Sequence, residues 1–272
     1  MGDTVKNEWV TKVLGYVFKV EPVALDEEPQ AIDQDEAREG VGEIDERSED
    51  GVIIASTAKL LQGLVTNMKL TKGLVLVDSV DALAGEMGKE NGISKQEARQ
   101  MIDSNQGRGF TGKSGTLYVI GTAPEADHDV VHETVHLLSA PGGGTKIMAK
   151  YGEQLNEGCT EFFTKKMCAQ MKVKDAAAYP AHVAFMNKLV GVVGLGMLHT
   201  AYMKDGGFDP VLGKLADIWI SKDSTLPGPQ KPPKVKGSIV RDKAVESLDK
   251  RFQSGFPPEG PGMKFWDIVF FS

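Results

Sequence analysis

The sequence predicts an α+β fold, a small mixed sheet followed by a mainly helical remainder. Three observations predict it. Two short β-branched apolar runs, Leu74–Val77 and Gly115–Ile120, stand in the first half of the chain. From Pro124 onward, apolar residues recur at the three- and four-residue spacing of helices. Clusters of Gly and Pro punctuate these segments, and no internal repeat organises them.

Each element has a local reason. Asn7–Val20 predicts a short helix, with Trp9, Val10, Val13, Leu14 and Val17 near one face. Glu21–Asp50 is acidic, contains Pro22 and Pro29, and has few large apolar residues, so it predicts a solvated arm. A helix is expected over Val52–Met68 with Ser56 or Thr57 as its cap, and then the strand Leu74–Val77, ended by Asp78. Ser94-Lys-Gln-Glu97 has the form of a capping box and predicts a helix to Ile102. Gly107, Gly109, Gly112 and Gly115 mark turns before the second strand. A helix opening near Pro124 and Glu125 runs to Leu138 and is broken at Pro141–Gly144. Further helices are expected over Tyr151–Met171, Ala181–Tyr202 and Val211–Ile220. Gly191, Gly194 and Gly196 inside the Ala181–Tyr202 stretch point to close packing against a neighbour. Prolines at 227, 229, 232 and 233 predict an extended connector, and the apolar Phe265–Phe271 predicts a tail that docks.

The chain has 272 residues with 31 Lys+Arg and 38 Asp+Glu, a net charge of −7. Thirteen of those acids and two arginines fall between Glu21 and Asp50, so that segment carries −11 and the rest of the chain +4. Without a basic footprint, a nucleic-acid partner is not expected. The longest apolar run, Leu189–Leu198, is half of what a membrane span needs, so it predicts a buried helix. The N-terminus lacks the apolar stretch and cleavage site of a secretory signal, which predicts a cytoplasmic protein as synthesised. Cys159 and Cys168 lie on one expected helix, too far apart along it to bridge; both are expected in the core.

The chemistry is carried by His132-Glu-Thr-Val-His136. On a helix, residues four apart lie side by side, so the two imidazoles can hold one metal ion. Glu133 is displaced about 100° round the axis, able to reach a water at the ion without being a ligand. A third ligand comes from Leu155-Asn-Glu157-Gly-Cys-Thr-Glu161 on the following helix. Glu157 and Glu161 are again four apart; one can bind the metal while the other accepts a hydrogen bond from a ligand histidine. Glu157 is preferred on the metal, with Asn156 and Glu161 as supports behind the histidines. Two histidines and one carboxylate make an open site for one zinc ion, with a fourth position left for water.

These residues resemble the gluzincin zinc metallopeptidases, the clan of thermolysin. The likeness covers Gly115–Lys166 directly and extends to Tyr179–Gly207 as a helical lower lobe. It implies a zincin-like catalytic domain over residues 51–225, between an N-terminal helix and acidic arm (1–50) and a connector and C-terminal tail packing on the domain (226–272). It implies that His132, His136 and Glu157 bind zinc, that Glu133 is the general base, and that Glu161 supports a ligand. It further implies that the strand Thr116–Ile120 is a sheet edge along which a peptide lies, through Thr116, Leu117, Tyr118 and Val119. Tyrosine or histidine steadies the oxyanion in the clan, which makes Tyr202 and His199 the candidates here. The Gly-x-Met-Glu-Asn element that holds a free amine in the clan's aminopeptidases is not present, so endopeptidase is preferred.

The expected function is therefore zinc-dependent hydrolysis of peptide bonds in a peptide or protein substrate. One alternative is an exported bacterial effector or toxin peptidase with the same chemistry, delivered without a signal peptide. In that reading residues 1–50 would bind an inhibitor, a chaperone or a delivery protein. The other is a non-catalytic module stabilised by zinc. The charge division adds an expectation that the −11 arm lies across the mildly basic body and hinders the cleft or holds a partner there.

Overall fold

The computed structural model describes residues 48–71, 73–105, 107–176, 178–204, 206–222, 231 and 240–254. The expected helix at Asn7–Val20, all of the acidic arm before Ser48, nearly all of the proline connector and the Phe265–Phe271 tail lie outside them. The described chain is mostly helical with a small mixed three-stranded sheet, an α+β arrangement. Among the described residues it divides into two compact units, 48–134 with Lys166–Ala176, and Val135–Lys165 with the described residues from 178 onward.

In the first unit, helix α1 (Glu49–Thr71) opens on Glu49 and Asp50, the last acids of the arm, which favour the positive end of the helix dipole. Strand β1 (Leu74–Val77) follows, as its apolar run predicts. Helix α2 (Val80–Asn91) was not expected. Its signals are local: the Ser79 hydroxyl accepts from the Ala82 N–H at 3.2 Å, and Gly92 closes the other end. Helix α3 (Lys95–Asn105) starts on the predicted capping box. Ser94 donates from N–H and Oγ to Glu97 Oε2 at 2.8 and 2.7 Å, and accepts from the Glu97 N–H at 3.2 Å.

Strands β2 (Gly109–Thr111) and β3 (Leu117–Ile120) complete the sheet in the order β1-β3-β2. Strand β3 pairs parallel with β1, Leu74 opposite Leu117, and antiparallel with β2, Thr111 opposite Leu117. This corrects the expected edge strand. Strand β3, which leads into the helix bearing the histidines, is central and bonded on both sides, and all four of its residues are buried. The edges among the described residues are β1 and β2, the latter in the glycine-rich stretch expected to be only turns. Leu83, Ala84, Ala98, Ile102, Tyr118 and Ile120 form the core that holds α2 and α3 against the sheet.

Helix α4 (Ala126–Ser139) and helix α6 (Glu153–Met171) follow the sheet in sequence. Between them in sequence, Gly143–Tyr151 forms helix α5, so the helix expected from Tyr151 is joined by an earlier one that starts inside the glycine run. The single helix expected over Ala181–Tyr202 is two: α7 (Pro180–Val193) and α8 (Leu195–Met203), bent by 115°. The bend falls at Gly194, whose φ of 90° suits a residue without a Cβ, so this glycine marks a corner rather than close packing. No single helix among the described residues is long and apolar enough to cross a membrane.

Helix α9 (Asp209–Ser221) meets its expected span closely. Helix α10 (Val240–Gln253) lies in the segment expected to be connector and tail. It packs on α9, and its Ala244, Leu248 and Phe252 are buried. Tyr151 donates to Asp249 at 2.7 Å, and Lys150 pairs with the same carboxylate at 2.8 Å, which ties α10 to α5.

Candidate metal centre

Helix α4 begins after the Gly121–Glu125 turns and is anchored at its start by Arg108, just before β2. Its guanidinium donates to Glu125 at 2.6 Å and to Asp129 at 3.1 Å. That clamp sets edge strand β2 beside the helix. One turn further on, Thr111 of β2 donates to Glu133 Oε2 at 3.0 Å, and Glu133 is only 9% exposed. The bond fixes the direction of a nearly buried carboxylate.

His132 and His136 lie one turn apart on α4, both half-buried. His136 Nε2 is 3.1 Å from Glu157 Oε1 on α6. His132, His136 and Glu157 each offer one ligand atom, and the three atoms lie within 4.8 Å of one another. Glu157, rather than Glu161, is the carboxylate in this group. A second group with the same spacing is His128, Glu161 and Asp175, with His128 1% exposed and Glu161 fully buried. Glu161 Oε1 is also 3.8 Å from Lys165 Nζ.

Asn156, expected behind the histidines, lies there: its amide nitrogen is 3.3 Å from His136 Nδ1. Thr160, which sequence reasoning passed over, is nearer, with Oγ1 at 3.1 Å from the same nitrogen. Its signal was available, since Thr160 is one turn beyond Asn156 on the same helix face. Thr111 had no such signal, because only the pairing of β2 with β3 brings it to α4.

Tyr202 is fully buried, its ring stacked on Phe163 at 5.8 Å. Its hydroxyl is 2.5 Å from Thr160 Oγ1 and 3.4 Å from Asn156 Oδ1. It therefore reaches the Nδ1 side of His136, away from the nitrogen that faces Glu157. Burial pushes the phenol far above its usual range and keeps it neutral. His199 lies edge-on to Phe163 at 5.9 Å, and burial, assisted by Lys204, pushes its pKa down to about 4. Thr116 precedes β3, while Leu117, Tyr118 and Val119 lie within it. The last three are buried in the central strand, so the peptide-binding edge expected there is not at these residues. Cys159 and Cys168 are both buried, as expected of core thiols.

No family model, curated protein or solved structure matches this chain.

Proposed function

We propose that this protein is a zinc-dependent peptidase of the gluzincin type, cutting peptide bonds within a peptide or protein substrate. The observation that carries the reading is the grouping of His132, His136 and Glu157 within 4.8 Å, on two helices, with Glu133 one residue from a ligand. Two imidazoles and one carboxylate suit zinc by donor type and number, and three protein ligands leave a coordination position open. The finer fold, a zincin-like domain with its histidines on the helix after the sheet, belongs to the same proposal.

When bound, zinc would supply Lewis acidity toward a scissile carbonyl and lower the pKa of a water. Glu133 does the proton work. Its carboxylate takes a proton from the attacking water and returns it to the amine nitrogen as the C–N bond breaks. Thr111 holds that carboxylate in place at 3.0 Å. A substrate backbone can add to β2, one of the two edge strands among the described residues and the one whose Thr111 bonds Glu133.

Metal analysis of purified variants tests the reading. His136→Ala and Glu157→Ala are each expected to lose most of the bound zinc, while Glu133→Gln keeps it at about one ion per chain, because the base is not a ligand. Full zinc retention in Glu157→Ala would move the third ligand elsewhere.

A further inference from the structure

The imidazole of His136 has two ends in different settings. Nε2 points to the ligand group, 3.1 Å from Glu157 Oε1. Nδ1 points into the protein, 3.1 Å from Thr160 Oγ1. A neutral imidazole carries one proton, and only a bare nitrogen can bind a metal. A metal at Nε2 requires the proton on Nδ1, and an acceptor at Nδ1 favours that tautomer over the one with Nε2–H facing Glu157.

Thr160 has one hydroxyl hydrogen and two lone pairs. The hydrogen is directed along the helix to the Asn156 carbonyl oxygen at 2.8 Å. The single Tyr202 hydroxyl hydrogen has two acceptors in reach, Thr160 Oγ1 at 2.5 Å and Asn156 Oδ1 at 3.4 Å, and the much shorter contact is the one it donates to. One lone pair remains, and it faces His136 Nδ1. With its hydrogen engaged and one lone pair filled, Thr160 can only accept from the ring. The Asn156 side chain, 3.3 Å from Nδ1, can turn its amide over to suit either tautomer. The Thr160 hydroxyl is the contact whose polarity is set from outside.

We infer that Tyr202, acting through Thr160, is a positioning residue that places the proton of His136 on Nδ1 and so presents Nε2 to the metal. The inference rests on the zinc reading above and gives Tyr202 a different part from the oxyanion donor expected from sequence. The surroundings fit that part. Tyr202 is sealed from solvent, so its hydroxyl must find its partners inside the protein. Its ring is stacked nearly parallel on Phe163, at an interplanar angle of 3°. The backbone that carries it is pressed against α5, where a Cβ at Gly143 would collide with the Ala201 carbonyl. A tyrosine so fixed can orient Thr160, and it has no freedom to swing toward a substrate.

The test is zinc affinity, measured by competition with a chromophoric chelator, on the full chain. Tyr202→Phe removes one hydroxyl and keeps the ring; it is expected to weaken zinc binding by about tenfold or more. Thr160→Val should do the same, Thr160→Ser should stay within about threefold of wild type, and the Tyr202→Phe/Thr160→Val double variant should be no weaker than Thr160→Val alone. In the zinc-loaded wild type, nitrogen NMR of His136 should show the proton on Nδ1. Circular dichroism verifies folding, and the Thr160→Val and Thr160→Ser pair reads the same link if Tyr202→Phe does not fold. Affinity of a folded Tyr202→Phe within about twofold of wild type, or equal losses in Thr160→Ser and Thr160→Val, overturns the inference. If wild type binds zinc and His136→Ala does not, that failure belongs to Tyr202 alone. A wild type that binds no zinc overturns the zinc reading and this inference with it.

Discussion

His199 shows how residue type and setting separate. A histidine near the end of a helix in a chain with an H-E-x-x-H motif invites a catalytic role. Its environment gives it a plainer one: packed edge-on to Phe163 and pushed down to about 4, first by burial and then by Lys204, it is neutral near pH 7. The unfolded chain has an ordinary histidine that binds a proton near pH 6.5. Between about pH 6.5 and pH 4 the unfolded state therefore holds a proton that the folded state refuses, and stability must fall as pH drops through that window. Urea unfolding at pH 7 and pH 5 is expected to show a lower midpoint at pH 5 in wild type and a smaller fall in His199→Gln. An identical fall in both would mean that other groups carry the acid sensitivity.

At the scale of elements, the unit that holds His136, Asn156, Glu157 and Tyr202 depends on close approach between helices α5 and α8. Gly143, in the first turn of α5, lies against the Ala201 carbonyl, and the space for a single methyl group is missing. Backbone cannot move aside as a side-chain end can, so Gly143→Ala is expected to destabilise the protein by about 3 kcal/mol or more, at the upper end for overpacking. A thermal melt should show this as a drop of several degrees, and an unchanged melting temperature would contradict the packing described. The substitution also displaces the backbone next to Tyr202, so weaker zinc binding should accompany the lower melting temperature.

For the whole molecule, what the sequence made legible is what is local. The pair His132 and His136 depends only on the helical repeat, and Asn156 and Glu157 stand together on one short motif. The strand runs at 74–77 and 117–120 and the capping box at Ser94 and Glu97 were equally plain. What was not legible depends on partners distant in sequence. Strand β2 is three residues that begin on Gly109 and are followed by Gly112, and only its antiparallel register with β3 makes it a strand and an edge. That register puts β3 inside the sheet and leaves β2 on one of its edges. Gly194 could be read as packing or as a corner, and the 115° bend is what brings Tyr202 to Thr160. The division of charge, −11 between Glu21 and Asp50 against +4 elsewhere, was legible at once, but the arm before Ser48 lies outside the described residues. Peptide-bond hydrolysis is the proposed reaction, and a peptide library tests it most directly. Zinc-loaded wild type should cleave library members internally, and Glu133→Gln, with zinc still bound, should be slower by a factor on the order of 10² or more. Equal rates, or two equally inert zinc-loaded proteins, would contradict the account.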